Sequence, residues 1–191
     1  MAENRILTPP SGYDLLANPR VASFAAQLDD QLIRLLKSLE HVTVAQLEWQ
    51  PKVGCNTIGM LLAHLAVVDV WWISIAPTGA TPGPEADAVF RSIVGIGMDD
   101  DGLPCPPDGG HPASLSGRTL ADYTVMLNAA RASTHAVMRR WRDVDLPTTY
   151  RLRDRDISYE WTVYHVLEHF ASHYGQILLL LHLQRNAPSQ A

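Results

Sequence analysis

The segment from Ile58 to Ala76, IGMLLAHLAVVDVWWISIA, constrains the fold more than any other part of the chain. Wound at about 100° per residue it is apolar almost all the way round, and Pro77 stops it. A helix without a polar face has to be enclosed by other elements. Asn56 or Thr57 can cap its start.

The chain supplies the enclosing elements. From Pro19 to Glu40, Val21, Phe24, Ala25, Leu28, Leu32, Leu35 and Leu36 recur at helical spacing, with Pro19 suited to the first turn. A shorter helical turn in HVTVAQLEWQP is capped by Thr43 and ended by Pro51. Thr119 and Asp122 form a capping-box-like start to a helix from Leu120 to about Trp141, buried along Tyr123, Leu127, Ala130, Thr134 and Met138. Ser158 can cap a last long helix reaching about Arg185. The expected fold class is all-α, a four-helix bundle, and the expected organisation is one domain over residues 1–191.

Residues 77–118 interrupt the pattern. They hold more than half of the chain's 12 glycines and 13 prolines and the acidic run Asp99, Asp100, Asp101. The expectation is a long irregular insertion between the second and third long helices, bordering the site as a lid, with a short helix near Ala86 to Ile96. The acidic run lacks the spacing of a calcium loop and reads as solvated. Thr149 to Ile157, where Arg and Asp alternate, reads as a polar extended link.

The last helix carries His165, His169 and His173 four residues apart. Each step of four advances roughly 40° around the axis, so any adjacent two of these imidazoles can converge on one point. His64 joins them from the enclosed helix, where Met60, Leu61, Val68, Trp71 and Ile75 lie within about 60° of it on the helical wheel. Asp69 lies off that stripe and is expected at the surface. His135 has no patterned partner and reads as structural or exposed. A buried imidazole needs a partner for each ring nitrogen, and four histidines as ordinary core residues would each need a separate polar arrangement. One divalent ion answers several at once. Neutral imidazole suits Zn, Ni, Fe or Cu, and facing helices of a bundle are a regular place for such a site.

Composition excludes other classes. A net charge of −5 and a pI near 5.8 give no field to gather phosphates, so no nucleic-acid partner is expected. No run of about 18 apolar residues is apparent, so no membrane association is expected. The start MAENRIL has no basic segment followed by an apolar one, which makes a cytoplasmic location the expectation. Cys55 and Cys105 lack any zinc or disulfide spacing.

CNTIGMLLAHLAVVDVWW around His64 and HVLEHFASHYGQI around His169 and His173 resemble the DinB/YfiT-like superfamily of metal-binding four-helix bundles. The resemblance covers the order of helices and leaves out the 77–118 insertion. It implies His64, His169 and His173 as metal ligands, with Gln176 of the trailing Gly-Gln and His165 one turn earlier in supporting positions. The metal it favours is Zn or Ni. Members include S-transferases that use bacillithiol or mycothiol, and a mycothiol-dependent maleylpyruvate isomerase in which glutamate stands where this chain has His169. The function so implied is a metal-dependent transferase joining a low-molecular-weight thiol cosubstrate to an electrophilic small molecule. A small hydrolase or isomerase, or a non-catalytic metal-stabilised bundle that binds small molecules in a stress response, are the alternatives. A homodimer is expected, from the resemblance and from the apolar surface of Trp71, Trp72, Trp161 and the leucine-rich end of the last helix.

Overall fold

The computed structural model describes residues 6–186. Six α-helices follow in order: α1 Pro19–Ser38, α2 Val44–Glu48, α3 Ile58–Val70, α4 Pro84–Val94, α5 Leu120–Met138 and α6 Tyr159–Asn186. The fold is an all-α bundle. Its long members α1, α3, α5 and α6 occupy the segments that periodicity marks.

The local chemistry sets the boundaries. Thr43, Thr57 and Thr119 each accept the backbone N–H three residues on, and Pro19 and Pro84 stand in the first turns of α1 and α4. Thr57 is fully buried, and its hydroxyl also meets His111 Nδ1 at 2.8 Å. Thr57→Ala is expected to cost about 1–2 kcal/mol in urea unfolding, the upper range for a lost helix cap, and a cost below a few tenths would show that the cap is replaceable.

Helix α3 forms the centre of the bundle. Every residue from Ile58 to Val70 except His64 is buried. It then widens into a π-helical turn over Trp71–Ile75, where the Ala76 N–H reaches back to Trp71 O, and ends in a 3₁₀ turn at Ala76–Thr78. Ile58–Thr78 is therefore long and apolar enough to cross a membrane, against the expectation of no such run, but it lies largely inside the protein, packed against α5, α6 and the insertion.

The all-round burial of α3 also corrects the reading of Asp69. Asp69 is 4% exposed and faces Arg131 of α5, Oδ2 to Nη2 at 3.1 Å. The angle is not that of a hydrogen bond, and Arg131 Nε and Nη1 have no hydrogen-bond partner among the described residues. Burial pushes the Asp69 carboxyl up from the usual range while Arg131 pulls it back. His135 is buried as well, held between Tyr13 Oη and Asp29 Oδ1 at 2.8 Å each, which ties the lead-in segment to α1 and α5.

The insertion is built into the core. Phe90 and Val94 of α4, with Ile96 and Leu115, join the apolar cluster around α3 and α5, so the segment is no detachable cover. Its acidic end is not solvated throughout. Asp101, in the 3₁₀ turn Met98–Asp101, is 2% exposed. The expected link before α6 is an antiparallel hairpin of β1 Thr149–Leu152 and β2 Arg155–Ser158, with Tyr150 opposite Ile157. At its turn, Arg153 takes φ 55°, a conformation usually given to glycine or asparagine.

Candidate metal centre

α3 and α6 face each other in opposite directions, so His64 meets His169 and His173, while Trp72 meets Trp161 and His165. The one-turn spacing of His169 and His173 puts their rings on one side of α6, edge to face, with centroids 4.4 Å apart.

The three imidazoles converge through their Nε2 atoms. His169 Nε2 stands 3.1 Å from His64 Nε2 and 3.0 Å from His173 Nε2. Among the described residues, His64, His169 and His173 are the one group whose ligand atoms all lie within 4.8 Å of one another.

Outside the cluster the rings are held by acceptors. His64 Nδ1 donates to Asp101 Oδ2 at 2.8 Å, and His173 Nδ1 donates to Gln176 Oε1 at 3.0 Å. Asp101 is itself fixed by the Leu103 N–H, which donates to its Oδ1 at 2.9 Å. With Nδ1 protonated, the Nε2 atoms of His64 and His173 carry lone pairs pointing at His169 Nε2. A single proton there can serve only one of them, so the cluster cannot satisfy itself by hydrogen bonding.

A divalent cation fits this arrangement. Two nitrogens at about 2.0–2.1 Å from a tetrahedral ion stand about 3.3–3.4 Å apart, close to the separations seen. Protonation is opposed from the same side. Burial, followed by the neighbouring imidazoles, holds His169 down at about 3, and burial lowers His173 although its bond to Gln176 acts the other way.

His165 has a different setting. Its ring stacks on Trp161 with centroids 4.8 Å apart and planes 6° from parallel, and it meets Trp72 edge-on at 4.7 Å. Its centroid is 6.0 Å from that of His169, and no hydrogen bond joins it to the three histidines. The supporting position that the resemblance implies for His165 is therefore a packing contact, and the hydrogen-bonding support comes from Gln176 and Asp101. Asp101 escaped sequence reasoning. It comes from an irregular loop 37 residues after His64, and an acidic run without periodicity gives no sign of which carboxylate turns inward.

The DinB superfamily pattern matches residues 27–177 of this chain. The chain belongs to the DinB superfamily. A DinB-like protein from Bacillus cereus, known from its crystal structure, shares the fold with a TM-score of 0.54 at 18% identity, over 88% of this chain and 95% of that one. No curated protein matches the sequence. In this DinB chain the matched range contains all three clustered histidines and Asp101.

The metal-free protein should lose stability as pH falls. His165, His169 and His173 all have folded-state pKa values below that of an ordinary histidine, chiefly through burial. The unfolded chain therefore binds more protons below about 6.5. Stability is full above that pH and declines toward about 3, the folded value of His169. Urea midpoints of chelator-treated protein between pH 7.5 and about 5 would measure this, and midpoints that rise on acidification would refute it.

Proposed function

We propose that His64, His169 and His173 hold one divalent ion, zinc or nickel, and that the protein is a transferase conjugating a mycothiol- or bacillithiol-like thiol to an electrophilic small molecule. The observation that carries the metal reading is the convergence of three Nε2 atoms, two of them with the opposite nitrogen tied to an outer acceptor. Superfamily membership supports the thiol reading, since several members are thiol S-transferases.

Three neutral nitrogens leave a bound divalent ion its full charge, which acidifies a thiol or water beside it. The chain's own residues prepare that site. Asp101 and Gln176 each hold a proton on the far nitrogen of a ring, which fixes both the tautomer and the direction of the lone pair. Burial keeps His169 and His173 neutral, so protons compete poorly for their nitrogens.

Metal analysis of the purified protein, followed by a fluorogenic bimane conjugation assay with mycothiol and bacillithiol, tests the reading. The expected result is one ion per chain and turnover that a chelator abolishes. Metal without turnover on either thiol would favour a non-catalytic bundle. Association as a homodimer belongs to the same proposal, supported by the exposed Leu178, Leu179 and Leu183 along α6. Light scattering should give twice the 21.1 kDa chain mass, and the chain mass itself would overturn it.

A further inference from the structure

Beyond the histidines, toward the start of α6, the π-helical turn, the hairpin and Trp161 border a half-open cavity of about 670 Å³. That size is ordinary for a small-molecule site, about 300–1,000 Å³. Trp71, Trp72 and Trp161 line it together with Leu152 and Ile157 of the hairpin. Trp161 is 42% exposed, a large aromatic face that the fold leaves open to solvent.

Two arginines, Arg153 and Arg155, and two aspartates, Asp154 and Asp156, line the cavity, but they are not all paired with one another. Asp156 pairs with Arg151 at 3.1 Å, and Asp154 lies 3.9 Å from Arg155. Arg153 also lines the cavity and has no acidic partner among the described residues. An aromatic wall beside one guanidinium without an ion-pair partner is complementary to a flat ring carrying an anionic group, since the ring can stack on indole and the guanidinium can bind a carboxylate through two N–H groups.

We propose that this cavity binds a planar aromatic carboxylate, the ring against Trp161 and Trp72 and the carboxylate on Arg153. The site lies beside the metal centre and is built without its ligands. Trp161 and Trp72 contact His165, and His165 is the next ring to His169. In the transferase reading the cavity takes the recognition end of the electrophile. That assignment rests on the transferase reading, whereas the ligand class rests on the cavity alone.

Naphthoate and its neutral counterpart naphthalenemethanol are suitable probes, followed by calorimetry and by quenching of tryptophan fluorescence on the full chain. Naphthoate should bind once per chain, about tenfold more tightly than the alcohol, the scale of one charge-assisted hydrogen-bonded contact. Arg153→Gln should erase that preference, and Trp161→Ala should weaken both probes, with circular dichroism confirming that each variant is folded. His64→Ala should keep naphthoate binding, and this arm separates the cavity from the metal centre. Equal affinity for the two probes, an unchanged preference in Arg153→Gln, or no binding at millimolar concentration would overturn the proposal. Loss of naphthoate in folded His64→Ala would also overturn it, by placing the carboxylate at the metal. Failure of thiol conjugation with naphthoate binding intact would remove the transferase reading and leave this one standing.

Discussion

Replacing any one of His64, His169 or His173 with alanine is expected to abolish stoichiometric binding of a divalent metal. Each supplies one of three nitrogens that meet within 4.8 Å, and no other histidine stands ready to substitute. His165 is occupied between two indoles and has no hydrogen bond to the cluster. Asp101→Ala should weaken binding by about 10- to 100-fold, the usual range for an outer partner of a ligating histidine. His165→Ala should change tryptophan fluorescence more than metal affinity. Chelator titration with metal analysis of the five variants, together with the tryptophan fluorescence of His165→Ala, measures all of this. Metal retained in His173→Ala and lost in His165→Ala would move the site one turn toward the start of α6.

The largest expected effect on stability lies away from the metal. Asp69→Ala would leave the Arg131 guanidinium buried without its counter-charge, and breaking a buried pair from one side costs about 3–5 kcal/mol. For a chain of this size that is a fall in Tm of about 10 °C. Arg131 makes the loss harder to absorb, because its Nε and Nη1 already lack hydrogen-bond partners among the described residues. Replacing both members with apolar residues should recover much of the stability. A single-variant loss below about 1 kcal/mol would mean that water reaches the guanidinium.

These two sites differ in how much of them the sequence shows. Helices α1, α3, α5 and α6 are legible because each repeats apolar residues over several turns, and Thr57 and Thr119 mark two starts. The pairing of His169 and His173 is legible because four residues make one helical turn. Asp69 is misread when the histidine stripe is taken as the buried face. A helix apolar on all sides has no exposed face to offer, and that property of α3 was already visible in its composition. The role of Asp101 depends on a contact between distant segments, and the hairpin on the pairing of two short neighbouring strands. A loop carboxylate reaching His64 leaves no periodic trace, and the alternation of Arg and Asp that marks an extended link does not show that its two halves pair with Arg151 opposite Asp156.

The wide turn at Trp71–Ile75 affects how the protein can vary. A π turn takes up one residue more than an α turn, so the side chains beyond it are rotated by about 100° relative to an uninterrupted helix. His64 lies upstream of that phase change, and the indole of Trp72 lies within it. The angular setting of the Trp72 indole is thus separable from that of the His64 imidazole. A single-residue deletion between Trp71 and Ile75 would restore α-helical phase there and re-set the indole of Trp72 and the 3₁₀ turn that follows, while His64 and Trp161 kept their places. The two halves of one continuous rod can in this way diversify independently, one keeping the placement of His64 and the other changing the direction of the indole beside it.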